Sequence, residues 1–256
     1  MLFRSPVELT LAGTVTTQGA DNIELTLAAD NAGRDGALAL TGSAAWRPEL
    51  AADANLTMNA FPWYTLLPDM QEPPVNIDTL QLRANWQDQR YTATLAATAA
   101  GPAGDTRLES ELEGDLRQLT VSRLQVQTGA GNLVGNASVG LAQPLSWQAT
   151  LEMQKFNPGY WVPQLQASLD GSIRSSGQWP ESASVPEMSA EVDLAGLWRA
   201  QTTSIKAKAS GADGLWQVPQ LNVAIGNNTL AGKGQWGQQL HAELDLNLPE
   251  IGRAHV

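Results

Sequence analysis

The chain has 256 residues, is 43% hydrophobic and only 16% charged, and carries a net charge of -11. So acidic a molecule repels phosphate backbones and anionic headgroups, which excludes nucleic acid and polybasic docking on membranes. There is no cysteine, so disulfides, thiolate metal sites and cysteine nucleophiles are excluded as well.

No apolar run approaches the ~18 residues of a membrane-spanning helix. Met1 to Val7 holds neither an apolar h-region nor a small-residue cleavage site, so an export signal is expected outside this chain. Residues 1–256 read as one continuous fragment of a longer repetitive protein, because both ends fall inside the same strand-like texture.

From the start, apolar residues alternate with polar ones, the pattern of a half-buried strand. Val7, Leu9 and Leu11 alternate with Glu8 and Thr10, and Ile23, Leu25 and Leu27 with Glu24 and Thr26. Leu80, Leu82, Ala84 and Trp86 form one face of the next clear strand. Tyr91, Ala93 and Leu95 follow, then Leu124 and Val126. Ile205, Ala207 and Ala209 come next, then Leu221, Val223 and Ile225, and the series closes on Leu244, Leu246 and Leu248. Between the runs lie turn signals at Asp35-Gly36, Gly101-Pro102, Gly129 to Gly131, Asp170-Gly171, Asp213-Gly214 and Asn227-Asn228. No stretch carries a convincing helical period. The expectation is an all-β chain of about twenty strands in one elongated, repetitive antiparallel sheet, with closed sandwiches and barrels as competing architectures.

The pattern recurs. Leu40 and Gly42 match Leu133 and Gly135, and Leu230 and Gly232. Each glycine is followed by a similar strand: Ala54 to Met58, Ala149 to Met153, and Ala242 to Leu246. The first two then run into aromatic-proline breaks, Phe61 to Pro68 and Phe156 to Pro163. There a packed ring capping the core edge, or a short helical turn, is expected. These matches give approximate repeats 37–130, 131–228 and a partial 229–256.

Catalytic signals fail on inspection. No Gly-x-Ser-x-Gly occurs. The lone interior histidine, His241, sits in strand-like sequence; the other, His255, is near the chain end. Gly226 to Lys233 has five residues between its glycines and lacks the magnesium-holding hydroxyl of a phosphate loop. Glu109, Glu111 and Glu113 share one strand face and read as a solvated surface rather than a calcium site. Ala32 and Arg34 stand where the Asp30 to Gly36 segment would need oxygen ligands. The nine tryptophans read mostly as core or groove-edge rings. No enzyme, cofactor or metal is expected.

Several segments resemble a known family. They are Gly131-Asn132-Leu133-Val134-Gly135, Leu151-Glu152-Met153-Gln154-Lys155-Phe156-Asn157-Pro158, Leu169-Asp170-Gly171-Ser172-Ile173-Arg174-Ser175-Ser176-Gly177 and Val185-Pro186-Glu187-Met188-Ser189-Ala190-Glu191-Val192-Asp193-Leu194. With Phe61-Pro62-Trp63-Tyr64-Thr65-Leu66-Leu67-Pro68, they are similar to the repeats of TamB-like proteins of the AsmA-related superfamily. That resemblance implies a sheet curled into an open trough, the β-taco or repeating β-groove, with an apolar inner face. It implies a periplasmic segment of a protein anchored in the inner membrane by an N-terminal helix absent here. It implies a TamA-type Omp85 outer-membrane barrel as partner. The implied role is conducting phospholipid between the membranes, assisting outer-membrane protein assembly, or both, with acyl chains or unfolded β-strand clients in the groove. Leu56, Met58, Leu151, Met153, Leu244 and Leu246 are the candidates for the lining. The alternative is a structural or adhesive repetitive surface protein, in which the same residues fill a closed core.

Overall fold

The computed structural model describes residues 7–249, apart from 32, 68–69, 72, 74, 102–103, 161–163, 165 and 182–183. Sixteen antiparallel strands, β1 to β16, follow one another in the sheet in the order of the sequence. The sheet is open: among the described residues its order runs from β1 to β16 without the last strand pairing with the first, so no closed barrel forms. Most strands are nine to thirteen residues long, longer than the sequence spacing suggested, and this is why sixteen replace the expected twenty. The chain divides into two compact units.

Unit 1 holds β1 (Glu8–Val15), β2 (Gly19–Asn31), β3 (Arg34–Ala45), β4 (Ala51–Asn59), β5 (Asn76–Gln87), β6 (Arg90–Gly101) and β7 (Gly104–Asp115). Residues 121–128 of β8 (Gln118–Thr128), with Gly129 after them, belong to it too. Unit 2 holds β9 (Gly131–Gly140), β10 (Leu145–Phe156), β11 (Ala167–Trp179), β12 (Glu187–Trp198), β13 (Gln201–Ala212), β14 (Leu215–Ile225), β15 (Asn228–Trp236) and β16 (Leu240–Asn247).

Two-residue turns join many of the strands. Asp88 and Gln89, and Arg199 and Ala200, have positive φ at both positions, the twist that suits a tight hairpin. Neither pair is rich in glycine, so neither was visible as a turn signal. Asp213-Gly214 does form its turn, and Asn227 lies in the turn before β15. Two expected turns are corrected, since Asp35-Gly36 lies inside β3 and Asp170-Gly171 inside β11. Their glycines serve close packing. A Cβ on Gly36 would lie 2.9 Å from the Ala60 carbonyl oxygen and 3.1 Å from Phe61 Cα. One on Gly171 would lie 2.0 Å from the Asp193 carbonyl oxygen. Pro102 of the Gly101-Pro102 signal is outside the described residues.

Both aromatic-proline breaks begin alike. Met58 is followed two residues later by Ala60, at φ 45°, and then by Phe61. Met153 is followed two residues later by Lys155, at φ 49°, and then by Phe156. In β10 this is a bulge against β11, where the register shifts between Met153 and Phe156. The extra residue changes which side Phe156 faces and turns its ring onto the Met153 side. Asp170 Oδ1 accepts the Lys155 N–H at 3.0 Å and so holds the bulge. Short 3-10 turns follow, Trp63–Leu66 and Pro158–Tyr160. The ring reading and the turn reading of these breaks both hold; Pro68 and residues 161–163 lie outside the described residues.

Phe61 is 1% exposed and packs with Ala29 and Met58, flanked by Leu27, Leu38, Trp63, Ile77 and Leu80. Phe61→Ala should destabilise unit 1 by about 3 kcal/mol, the usual cost of emptying a buried aromatic site. Leu66→Ala, at a residue 48% exposed, should change little; urea midpoints of the two variants check this.

Candidate functional site

Side chains alternate between the two faces of a strand, and directly paired residues share a face. The strand registers therefore sort unit 1 into rows. One row reads Leu9, Leu27, Leu38, Met58, Leu80, Ala97 and Leu108. Beside it run Leu11, Leu25, Leu40, Leu56, Leu82, Leu95 and Ser110. Seven consecutive strands thus give one face almost no polar group in these rows. The opposite face carries Thr26, Thr57, Gln81 and Glu109 in one row and Glu24, Asn55, Arg83 and Glu111 in another.

Unit 2 is built the same way. Leu133, Met153, Gly171, Leu194, Ile205, Val223, Leu230 and Leu246 form one row. Gly135, Leu151, Ile173, Val192, Ala207, Leu221, Gly232 and Leu244 form the next. Leu56 and Met58 thus share the apolar face of unit 1. Leu151 and Met153 share that of unit 2 with Leu244 and Leu246.

Their exposure differs. Met58 is buried under Phe61, Leu56, Leu151 and Met153 are half-buried, and Leu244 and Leu246 are 65% and 58% exposed. Among the described residues the buried hydrophobic side chains are Ala29, Met58, Phe61, Val126, Phe156 and Leu194. A closed core in a chain of this composition would bury far more. Most members of these rows are half-buried, and those on β1 and β16, namely Leu9, Leu11, Leu244 and Leu246, are exposed.

The repeated glycines belong to this face. Gly135 is paired with Leu151 and Gly232 with Leu244, and in both pairs the leucine side chain lies over the glycine. In β3 the register differs by two residues: Gly42 faces Ala54, and Leu56 faces Leu40. A shift of two keeps every side chain on its face.

Aromatic residues gather at one end of the rows. In unit 1, Ala20, Ala44, Ala52, Trp86 and Tyr91 share the terminal row, and the Trp86 and Tyr91 rings stack at 6.2 Å. Partial burial, with the Asp115 carboxylate adding to it, pushes the Tyr91 phenol above its ordinary pKa. In unit 2 the terminal row holds Trp147, Gly177, Met188, Gly211, Trp216, Trp236 and Leu240. The Trp147 indole lies over Gly177 and donates to Ser175 Oγ at 3.1 Å, while Trp216 lies over Gly211. Individual alternations predicted parts of these rows. Their continuity, and the glycine seats for the indoles, needed the register. Next to this end, among β14 to β16, is a cavity of about 450 Å³ walled by apolar surface from Trp216, Val218, Leu221, Trp236, Leu240 and Leu244.

The other face is polar and cross-linked by charge. Arg123 lies 3.8 Å from Glu109 and 3.4 Å from Glu111, so the acidic stripe faces an arginine. Lys206 meets Asp193 at 3.3 Å, Lys208 meets Glu191 at 3.0 Å and Lys233 meets Glu243 at 2.9 Å. Each of those three is a directly opposed cross-strand pair. His241 lies exposed in β16; His255 lies outside the described residues. Among the described residues no cluster of three or more His, Asp or Glu side chains is placed to hold a metal, and no helix is long and apolar enough to cross a membrane.

An open sheet assembled from recurring hairpins, with one apolar and one polar face, defines a β-scaffold that presents an extended surface. The family model described as "TamB, N-terminal domain" matches residues 4–255, and the chain belongs to that family. It is 29% identical over 205 residues to the translocation and assembly module subunit TamB of Haemophilus influenzae, an alignment covering 77% of this chain and 15% of that protein. No solved structure matches the chain.

Lys208→Glu should lower stability by up to about 1 kcal/mol, the ceiling for exposed pairs, and adding Glu191→Lys should recover most of it. A double-mutant cycle on urea midpoints reads the coupling; none would mean that these pairs do not help fix the register.

Proposed function

We propose that this chain is a periplasmic stretch of a TamB-like protein whose apolar face carries phospholipid acyl chains between the inner and outer membranes. The observation behind this reading is the pair of almost wholly apolar rows in each unit, with few side chains fully buried. A sixteen-carbon chain in water costs on the order of 12 kcal/mol, so crossing an aqueous gap needs a continuous apolar lining and no tight site. Leu56, Met58, Leu151, Met153, Leu244 and Leu246 are lining residues in this proposal. Met58 contributes chiefly by seating Phe61, and the other five present surface.

An unfolded β-strand client is the other occupant to weigh. Laid on this face it would bring backbone N–H and C=O groups against leucine and valine, above strands already paired in their ladders. Each polar group left without a partner there costs of order 1–3 kcal/mol. Acyl chains carry no such groups. A role in outer-membrane protein assembly, and pairing with a TamA-type Omp85 barrel, belong in this proposal to the full-length protein. An adhesive surface protein would draw its stability from a closed core, which the few buried side chains do not favour.

A photoreactive residue at Met153 in the full-length protein, in living cells, should give phospholipid adducts. The same residue at Glu152, on the polar face opposite, should give none. Polypeptide adducts at Met153 would replace lipid with a client strand. Crosslinking only within the chain at Met153 would mean that the face is closed and would end the lipid reading for this segment.

A further inference from the structure

Pro219 lies inside β14, and β14 is paired on both sides, to β13 and to β15. Proline has no N–H to give a ladder, so within sheets it is confined to edge strands, strand starts and bulges. Here it takes a bulge. Between Lys208 and Ser210, β13 has one residue where β14 has two, Val218 and Pro219. Between Gly232 and Gly234, β15 has one residue where β14 has Pro219 and Gln220. The extra residue is carried against both neighbours, and it moves the apolar side of β14 from Trp216 and Val218 to Leu221 and Val223. The bulge at Lys155 does the same in β10, but there Asp170 accepts the Lys155 N–H. Pro219 has no N–H through which it could be held.

Other cross-links are missing along β14 as well. Two ion pairs join β12 to β13, and one joins β15 to β16. β14 contains no charged residue, so none can join it to either neighbour. Across β14 and β15, Val218 faces Gly234 and Leu221 faces Gly232, so at neither position do two side chains meet. Packing around the proline is open. It lines a cavity of about 340 Å³ with Lys208, Ala209 and Ser210 of β13, and another of about 430 Å³ with Lys233 of β15. The apolar cavity of about 450 Å³ reaches Val218 and Leu221, which flank the bulge.

From this we infer that unit 2 carries a seam along β14, whose ladders part locally and close again more readily than the ladders that hold β12. Local opening is easiest where lateral contacts are few and backbone hydrogen bonds are missing. Pro219 brings both conditions to one strand. The bulge also gives the strand a place to bend without losing register, since Trp216 stays with Trp236 on one side of it and Leu221 with Gly232 on the other. Such a seam lets the apolar face widen at one strand while the rows on both sides keep their order. The inference concerns the sheet itself and does not depend on what that face carries.

Hydrogen exchange of the full-length protein, read by mass spectrometry and corrected for intrinsic rates, supplies the test. Amides of β14 should exchange on the order of tenfold faster than those of β12, a strand likewise paired on both sides. Equal or slower exchange in β14 overturns the inference. Pro219→Val restores an N–H and should bring β14 several-fold closer to β12. Gln220→Glu, directly opposite Lys208, offers a charge pair across β13 and β14 without touching the proline and should also slow β14, by a smaller factor. If β14 outpaces β12 but neither variant slows it, with the sheet intact by circular dichroism, the missing links are not what loosens the strand and the inference falls. Should Pro219→Val fail to fold, Gln220→Glu decides that point alone.

Discussion

The structure depends on one constraint: successive side chains of an extended strand point to opposite faces, and each ladder preserves that sorting in the next strand. Met58 faces inward because Leu38 and Leu80 do, and these do because Leu27 and Ala97 do. A one-residue slip at any ladder would turn a whole strand's leucines to the polar side. The cross-strand pairs Glu191–Lys208 and Asp193–Lys206 add little energy, but they match only in the native register. Much of the sheet's stability rests on ladder hydrogen bonds and lateral contact between neighbouring rows. That leaves the apolar face available, which is the condition for carrying an apolar cargo.

Much of this was legible in the residues. The run Leu80, Leu82, Ala84, Trp86 can be read directly as one face of a strand, and the spacing of Gly42, Gly135 and Gly232 announces recurrence. The six lining candidates came from matching strands that follow those glycines, and the registers bring Leu151 and Leu244, and Met153 and Leu246, into common rows. What was hidden depends on partners distant in sequence. Gly36 beside Asp35 has the composition of a turn, and only the approach of the Ala29 and Ala60 carbonyls and of the Phe61 backbone explains why a glycine must lie flat there. Asp170 likewise looked like a turn residue, whereas its carboxylate holds the bulge at Lys155. Arg199-Ala200 and Asp88-Gln89 turn tightly because the flanking ladders demand it, and their side chains gave no notice.

Ala60 and Lys155 show how a small backbone irregularity becomes a device. A strand that kept strict alternation past Met58 or Met153 would turn the next aromatic to the wrong side. One residue with left-handed φ corrects the parity, and the phenylalanine lands on the apolar face where its ring can be covered. The residues at these two positions, alanine and lysine, share no chemistry, so the repeat is one of conformation and not of side chain. Sequence comparison alone would align Phe61 with Phe156 and pass over the residue that aims each of them.

The described strand contacts of any size join sequence neighbours, and this has a consequence for how such a sheet can change its length. Removing or adding one strand would bring the following connection out at the wrong rim and reverse every strand after it. Removing or adding a hairpin leaves direction, parity and both rims as they were. Growth is therefore quantised in pairs of strands. A protein of this design can be matched to a wider or narrower gap by duplicating or losing hairpins, with no remodelling of the ones that remain.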